Sequence, residues 1–133
     1  MSLEADKEAL SLYRLEQAGE SLNEAKFLLS GEKSPRSIIN RAYYSMFYAI
    51  LALLIYEPYS SSKHSGVLSY FNRHFIKEGI FDRDMGRWVN KAFDLRQRSD
   101  YREFFEITQD QAADLVTKAE QFISIVRAYI EKK

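Results

Sequence analysis

The sequence predicts an all-α protein, an up-and-down bundle of four to five helices in a single domain over residues 1–133. Three observations predict it. Apolar side chains recur at three- and four-residue steps through most of the chain, and no stretch alternates polar with apolar as a half-buried strand would. Only 5 residues are Gly and 2 are Pro, too few to punctuate a turn-rich β architecture. The 133 residues also suit one hydrophobic core, since a chain of this size buries about two-thirds of the surface its unfolded form exposes.

The first helix is expected from Glu4 to Leu29. Leu15, Ala18, Leu22, Ala25 and Leu29 form its apolar stripe, Glu16, Glu20, Glu24 and Lys26 lie elsewhere on the wheel, and Gly31 supplies the stop. Met1, Ser2 and Leu3 are given no structural weight. Ser34-Pro35 opens the second helix, a hydroxyl cap followed by proline at the first helical position. From Ala42 to Leu54 that helix is apolar nearly all round, so it is either the central helix or packs on a second subunit with its outer side. The uncharged run Ala42 to Tyr56 is fifteen residues long and bounded by Arg41 and Glu57. A membrane span needs about 20, so the run reads as a buried helix.

Glu57-Pro58 ends the second helix, and Tyr59 to Lys63 is a serine-rich turn. The third helix is expected from Ser62 to Lys77, with His64, Val67, Leu68, Phe71 and Phe75 on one stripe and Gly79 after it. Asp82 caps the fourth, whose stripe of Met85, Trp88, Val89 and Ala92 continues into Arg96. A connection from Ser99 to Ile107 carries Phe104 and Phe105. Thr108 and Gln111 form a capping-box pattern for the fifth helix, with Ala112, Leu115, Ala119, Phe122, Val126 and Tyr129 along its seam.

Composition excludes more than it identifies. Lys plus Arg equals Asp plus Glu at 19 each, which argues against a generally basic nucleic-acid coat protein. Without Cys there is neither a disulfide framework nor a thiolate zinc site. Two isolated His and scattered carboxylates give no metal-ligand spacing, so no metal or other cofactor is expected. The sequence has no Gly-rich phosphate loop, dinucleotide fingerprint or Ser-nucleophile motif. Met1 to Ser11 holds three acids and no apolar block, so no secretory signal is read and a soluble, cytoplasmic protein is expected. Charge is uneven, however: net −4 over residues 1–32, +3 over 33–72, +3 over 73–102 and −2 over 103–133. The electropositive middle is either a set of solvated helix faces or a local phosphate-binding patch.

The most informative position is Arg96. A guanidinium that continues an apolar stripe must find carboxylate, carbonyl or phosphate partners. Two readings fit: an Arg96–Asp100 pair that pins the end of the fourth helix under Tyr101 as a lid, or an anion site with Arg98 and Arg102 nearby. On the second helix Arg41, Tyr44 and Tyr48 share a face. They either pack and hydrogen-bond between helices or point at the same pocket as Arg96. His64 opens the third helix as a satisfied core residue, or joins Lys63 and free backbone N–H groups around a phosphate. His74, beside Arg73, reads as a surface residue.

Three segments in order, Arg41-Ala-Tyr-Tyr-Ser-Met-Phe-Tyr-Ala, Lys63-His64-Ser-Gly-Val and Arg96-Gln-Arg-Ser-Asp100-Tyr101, follow a long amphipathic helix. Together they resemble the small stand-alone HEPN-domain proteins of bacteria and archaea, from about residue 10 to 130. The resemblance implies a helical bundle that dimerises. It also implies an RNA-cleaving toxin, a partner of a small nucleotidyltransferase, or a nucleotide- or RNA-binding module without catalysis. Active HEPN ribonucleases carry an Arg, about four to six residues, then a His, and act without metal across a dimer cleft. Arg96 matches that Arg, but Tyr101 stands where the His belongs and no His follows His74. A phenol with a pKa of about 10 is a poor general base at neutral pH. The expectation is a non-catalytic module that binds nucleotide or RNA phosphate through Arg96, Arg41 and Lys63, with Tyr44, Arg98 and Asp100 around them. It would act as a homodimer or with a nucleotidyltransferase in a toxin–antitoxin-like setting. The alternatives are a metal-independent endoribonuclease toxin using Arg96 with His64 or Tyr101, and a purely structural dimerisation protein.

Overall fold

The computed structural model describes residues 2–101 and 106–133. Arg102, Phe104 and Phe105 lie outside the described residues. Among the described residues the chain forms five α-helices and no strand: α1 (Leu3–Ser30), α2 (Pro35–Leu54), α3 (His64–Phe71), α4 (Arg83–Ser99) and α5 (Gln109–Glu131). A π-helical turn, Asn72–Ile76, continues α3.

Each helix start has a local cause, and not always the expected one. The residues before Glu4 do carry structure: Ser2 is the N-cap of α1, and its Oγ accepts the Ala5 N–H at 3.1 Å. Pro35 starts α2 through its fixed φ, while the Ser34 hydroxyl makes no capping bond. Asp82 caps α4, its Oδ1 accepting the Asp84 N–H at 2.9 Å. α5 has the full reciprocal box. The Gln111 N–H donates to Thr108 Oγ1 at 3.1 Å and the Thr108 N–H donates to Gln111 Oε1 at 2.9 Å. α3 begins at His64, two residues beyond the expected Ser62, because the chain from Ser61 to Lys63 is held in a turn by the Lys63 N–H donating to Ser61 Oγ.

The stop after α1 is also displaced. Gly31 keeps an ordinary φ of −85°, and the left-handed residue is Glu32, at φ 52°. Glycine's freedom is therefore left unused, and a residue with a Cβ bears the strain. Gly79, at φ 79°, does end the third element as expected.

α2 is the central helix. Twelve of its side chains are buried, and α1, α3, α4 and α5 all pack on it. The central position is one of the two expected arrangements, and it covers the buried positions of α2 within the chain. From Arg41 onward only the strip of Arg41, Tyr44, Tyr48 and Leu51 is half-exposed, and before it Pro35, Arg36, Ser37 and Asn40 are also not buried. At the far end, Phe71, Phe75, Phe81, Phe122 and Tyr129 close the core ring against ring. Gly86 lets α4 approach the π-turn: a Cβ there would lie 3.0 Å from Asn72 Oδ1.

Two substitutions test these causes by urea denaturation. Thr108→Ala is expected to lower stability by about 1 kcal/mol through the lost cap. Glu32→Gly is expected to raise it by about 0.5 kcal/mol through relief of the left-handed backbone. A Glu32→Gly protein with a lower midpoint at unchanged slope would contradict the strain argument.

Candidate functional site

The site is built where α4 crosses α2. Arg41 and Tyr44 stand one turn apart on the half-exposed strip of α2, and the Arg41 guanidinium carbon lies 5.2 Å from the Tyr44 ring centre. Arg96 reaches over from α4, with its guanidinium carbon 5.2 Å from the Tyr44 ring and 5.3 Å from the Tyr43 ring. One phenol ring thus holds two cations, an arrangement that cation–π attraction favours by about 0.5–2 kcal/mol per pair.

The two guanidiniums differ in their partners. Arg41 donates to Asn40 Oδ1 at 3.1 and 2.8 Å and lies 3.5 Å from Glu24 Oε1. The Arg96 guanidinium has no carboxylate or hydrogen-bond partner among the described residues, and the rings are its only described support. The expected Arg96–Asp100 staple does not form. Asp100 instead pairs with Arg36 at 3.2 Å, tying the end of α4 to the start of α2. The reason is directional: Arg96 lies on the side of α4 that meets α2's rings, and Asp100, the C-cap, faces the first turn of α2. Tyr101 is no lid, since it is 68% exposed.

His64 joins the cluster from α3. Its ring stacks on Phe47 at 4.1 Å, meets Tyr44 edge-on at 5.7 Å, and its Nδ1 lies 2.8 Å from the Tyr43 hydroxyl. Burial, and secondarily the Arg96 charge, hold its pKa below the usual 6.5. Burial pushes the Tyr43 phenol well above 10 despite Arg96, so it stays protonated. His64 is therefore half of what a satisfied core histidine would be, with one nitrogen bonded.

Of the residues singled out in sequence, the fold brings Arg41, Tyr44, His64 and Arg96 together. Lys63 precedes His64 on an exposed segment, and its own N–H is already taken by Ser61. Arg98 is not in the cluster. Two residues from Arg96 on an α-helix means nearly the opposite side, and there it pairs with Asp94 at 3.0 Å. Asp100 lies with Arg36, Asn40 and Arg41 along a neighbouring cleft of 410 Å³. No described contact brings Tyr101 to the rings. His74 is not a plain surface residue, because it stacks on Tyr70 at 4.1 Å. The sequence reading missed Tyr43, which sits one residue off the Arg41–Tyr44 face. Its full burial and its contact with Arg96 come from the docking of α3 and α4 on α2, for which the sequence around Tyr43 carries no local signal. Among the described residues no three His, Asp or Glu side chains converge as metal ligands, and no helix is long and apolar enough to cross a membrane.

Comparison with known proteins agrees with this arrangement of helices. The family model described as the HEPN domain matches residues 11–129. A UPF0332 protein of Thermotoga maritima is 40% identical over 126 residues, 95% of this chain and 95% of that protein. Two proteins of Methanocaldococcus jannaschii bear the names "Putative toxin MJ0142" and "Putative toxin MJ0605". The first is 34% identical over 119 residues (90% of this chain, 80% of that one). The second is 31% identical over 118 residues (89% and 87%).

The His64 environment has a pH consequence. A base whose folded pKa is lowered binds fewer protons in the fold than in the unfolded chain. Its contribution to stability is full above the unfolded value of about 6.5 and is lost as pH falls through that value toward the folded one. An NMR titration should therefore give His64 a midpoint below 6.5. In Arg96→Met it should rise without returning fully, because burial is the larger cause. A parent midpoint at or above 6.5 would contradict the environment described.

Proposed function

We propose, from the premise that the chain belongs to the HEPN domain family, that it is one non-catalytic module over residues 1–133 that binds the phosphate of a nucleotide or RNA at the Arg41–Tyr44–Arg96 cluster. The observation that carries this reading is Arg96. Its half-buried guanidinium is supported by two phenol rings and by no described anion. A guanidinium so placed has its planar fork of donors available, and phosphate oxygens suit that fork. Arg41 adds a second charge at the same ring, and exposed Lys63 supplies a third nearby. The two archaeal relatives named as toxins support a toxin–antitoxin-like setting. In that setting the module acts in the cytoplasm as a homodimer or with a nucleotidyltransferase partner.

One observation favours a second reading, metal-independent RNA cleavage: His64 lies within the same cluster as Arg96. A purely structural role loses one of its two supports, because Asp100 pairs with Arg36 and not with Arg96.

Calorimetric titration of adenosine monophosphate and of a short RNA into the parent, Arg96→Ala and Arg96→Lys tests the proposal. Arg96→Ala should weaken binding by about tenfold or more in a protein that remains folded, since hydrogen bonds to charged groups contribute about 1.5–3 kcal/mol. Lys should recover only part of it, lacking the fork. Unchanged binding in Arg96→Ala would refute the assignment. The same RNA kept with the protein in EDTA should stay intact. Cleavage to 2′,3′-cyclic phosphate ends that disappears in His64→Ala would establish the second reading instead.

A further inference from the structure

We infer that Tyr43 is a positioning residue for this site: its phenol donates to His64 Nδ1, so the neutral imidazole carries its proton on Nε2 and offers it as a donor alongside Arg41 and Arg96. The role of that donor rests on the phosphate-binding reading. The tautomer does not.

Hydrogen-bond accounting assigns the tautomer. Tyr43 is 0% exposed, and the one described partner of its hydroxyl is His64 Nδ1, at 2.8 Å. A phenol has a single hydrogen to donate. If Nδ1 carried a proton, that proton would point at the phenol oxygen. The phenolic hydrogen would then lie buried with no described acceptor. Buried donors are rarely left so. With the lone pair on Nδ1 both groups are satisfied, and the ring proton must sit on Nε2. That nitrogen has no described partner and is not among the buried unpartnered atoms, so it is open to solvent.

The ring cannot readily exchange its two edges. Phe47 stacks on it at an interplanar angle of 17°, and Tyr44 meets it at 85°. A half-turn would set a carbon against the Tyr43 hydroxyl and orphan it. Tyr43 itself is fixed by Arg96 over its ring and by Phe47 and Phe93 at 5.8 and 5.7 Å. The same arginine thus braces the residue that orients the histidine.

The chemical consequence is a third donor group beside the two guanidiniums. Two guanidiniums and a neutral Nε2–H have no acceptor among them, which suits the unprotonated oxygens of a phosphomonoester or phosphodiester. A nitrogen that already holds its proton cannot take one from a ribose hydroxyl. His64 in this tautomer therefore favours binding over cleavage through Nε2.

Nitrogen-15 spectra of the imidazoles, recorded where His64 is neutral, test the inference in the parent and in Tyr43→Phe, each with and without adenosine monophosphate. The parent should show one dominant tautomer, Nδ1 unprotonated and Nε2 protonated, with Nε2 shifting on addition of the nucleotide. Tyr43→Phe should give a mixed tautomer and bind the nucleotide about fivefold more weakly. A protonated Nδ1 in the parent overturns the assignment, and this spectrum decides it even if the variant fails to fold. A folded Tyr43→Phe with unchanged spectra and affinity overturns the positioning role. Nucleotide that does not bind the parent sinks the phosphate reading and the donor's role with it, while the tautomer is still judged from the spectra alone.

Discussion

Arg96 continues the buried stripe of α4 and so must place a full positive charge where that helix packs on α2. A charge there would be costly without support. The support is aromatic: two adjacent phenols on α2 lie under the guanidinium, and neither neutralises it. Everything else at the site follows from that choice. Tyr44 carries both α2's own Arg41 and the arginine from α4, each 5.2 Å from its ring centre. Tyr43 is turned inward, buried and kept protonated, which leaves its hydroxyl free to bond the one imidazole nitrogen within reach. A carboxylate in place of those rings would have made an ion pair with no charge left to offer.

Much of the fold was legible because its causes are local. The Pro35 start, the Asp82 cap and the Thr108–Gln111 box depend on a few consecutive residues. Arg96 was legible as an oddity, since a charged residue on an apolar stripe stands out whatever the fold. Its partner was not. Asp100 lies four residues on and looks like the natural mate, but its carboxylate faces Arg36, sixty-four residues away in sequence. Which of two cations an acid meets is set by the docking of α4 on α2, and no local pattern encodes that.

The consecutive run from Arg96 to Tyr101 misled in the same way. Residues adjacent in sequence do not share a helix face, so Arg98 went to the opposite side with Asp94, and Tyr101 lies past the helix in water. Tyr43 was overlooked for the converse reason. It is one step from the Arg41–Tyr44 face and therefore buried, where it meets α3 and α4 rather than solvent. Gly31 and Glu32 give a smaller example: the residue best suited to the left-handed turn is present, yet the turn falls on its neighbour.

The central claim is that Arg41 and Arg96 form one anion site. It is tested most directly by following the arginine side-chain NMR resonances while inorganic phosphate or adenosine monophosphate is added. The account predicts that Arg41 and Arg96 shift together along one saturating curve, while Arg83 and Arg87 on the outer face of α4 stay still. Shifts spread evenly over the exposed arginines, or Arg96 unmoved at saturation, would contradict it.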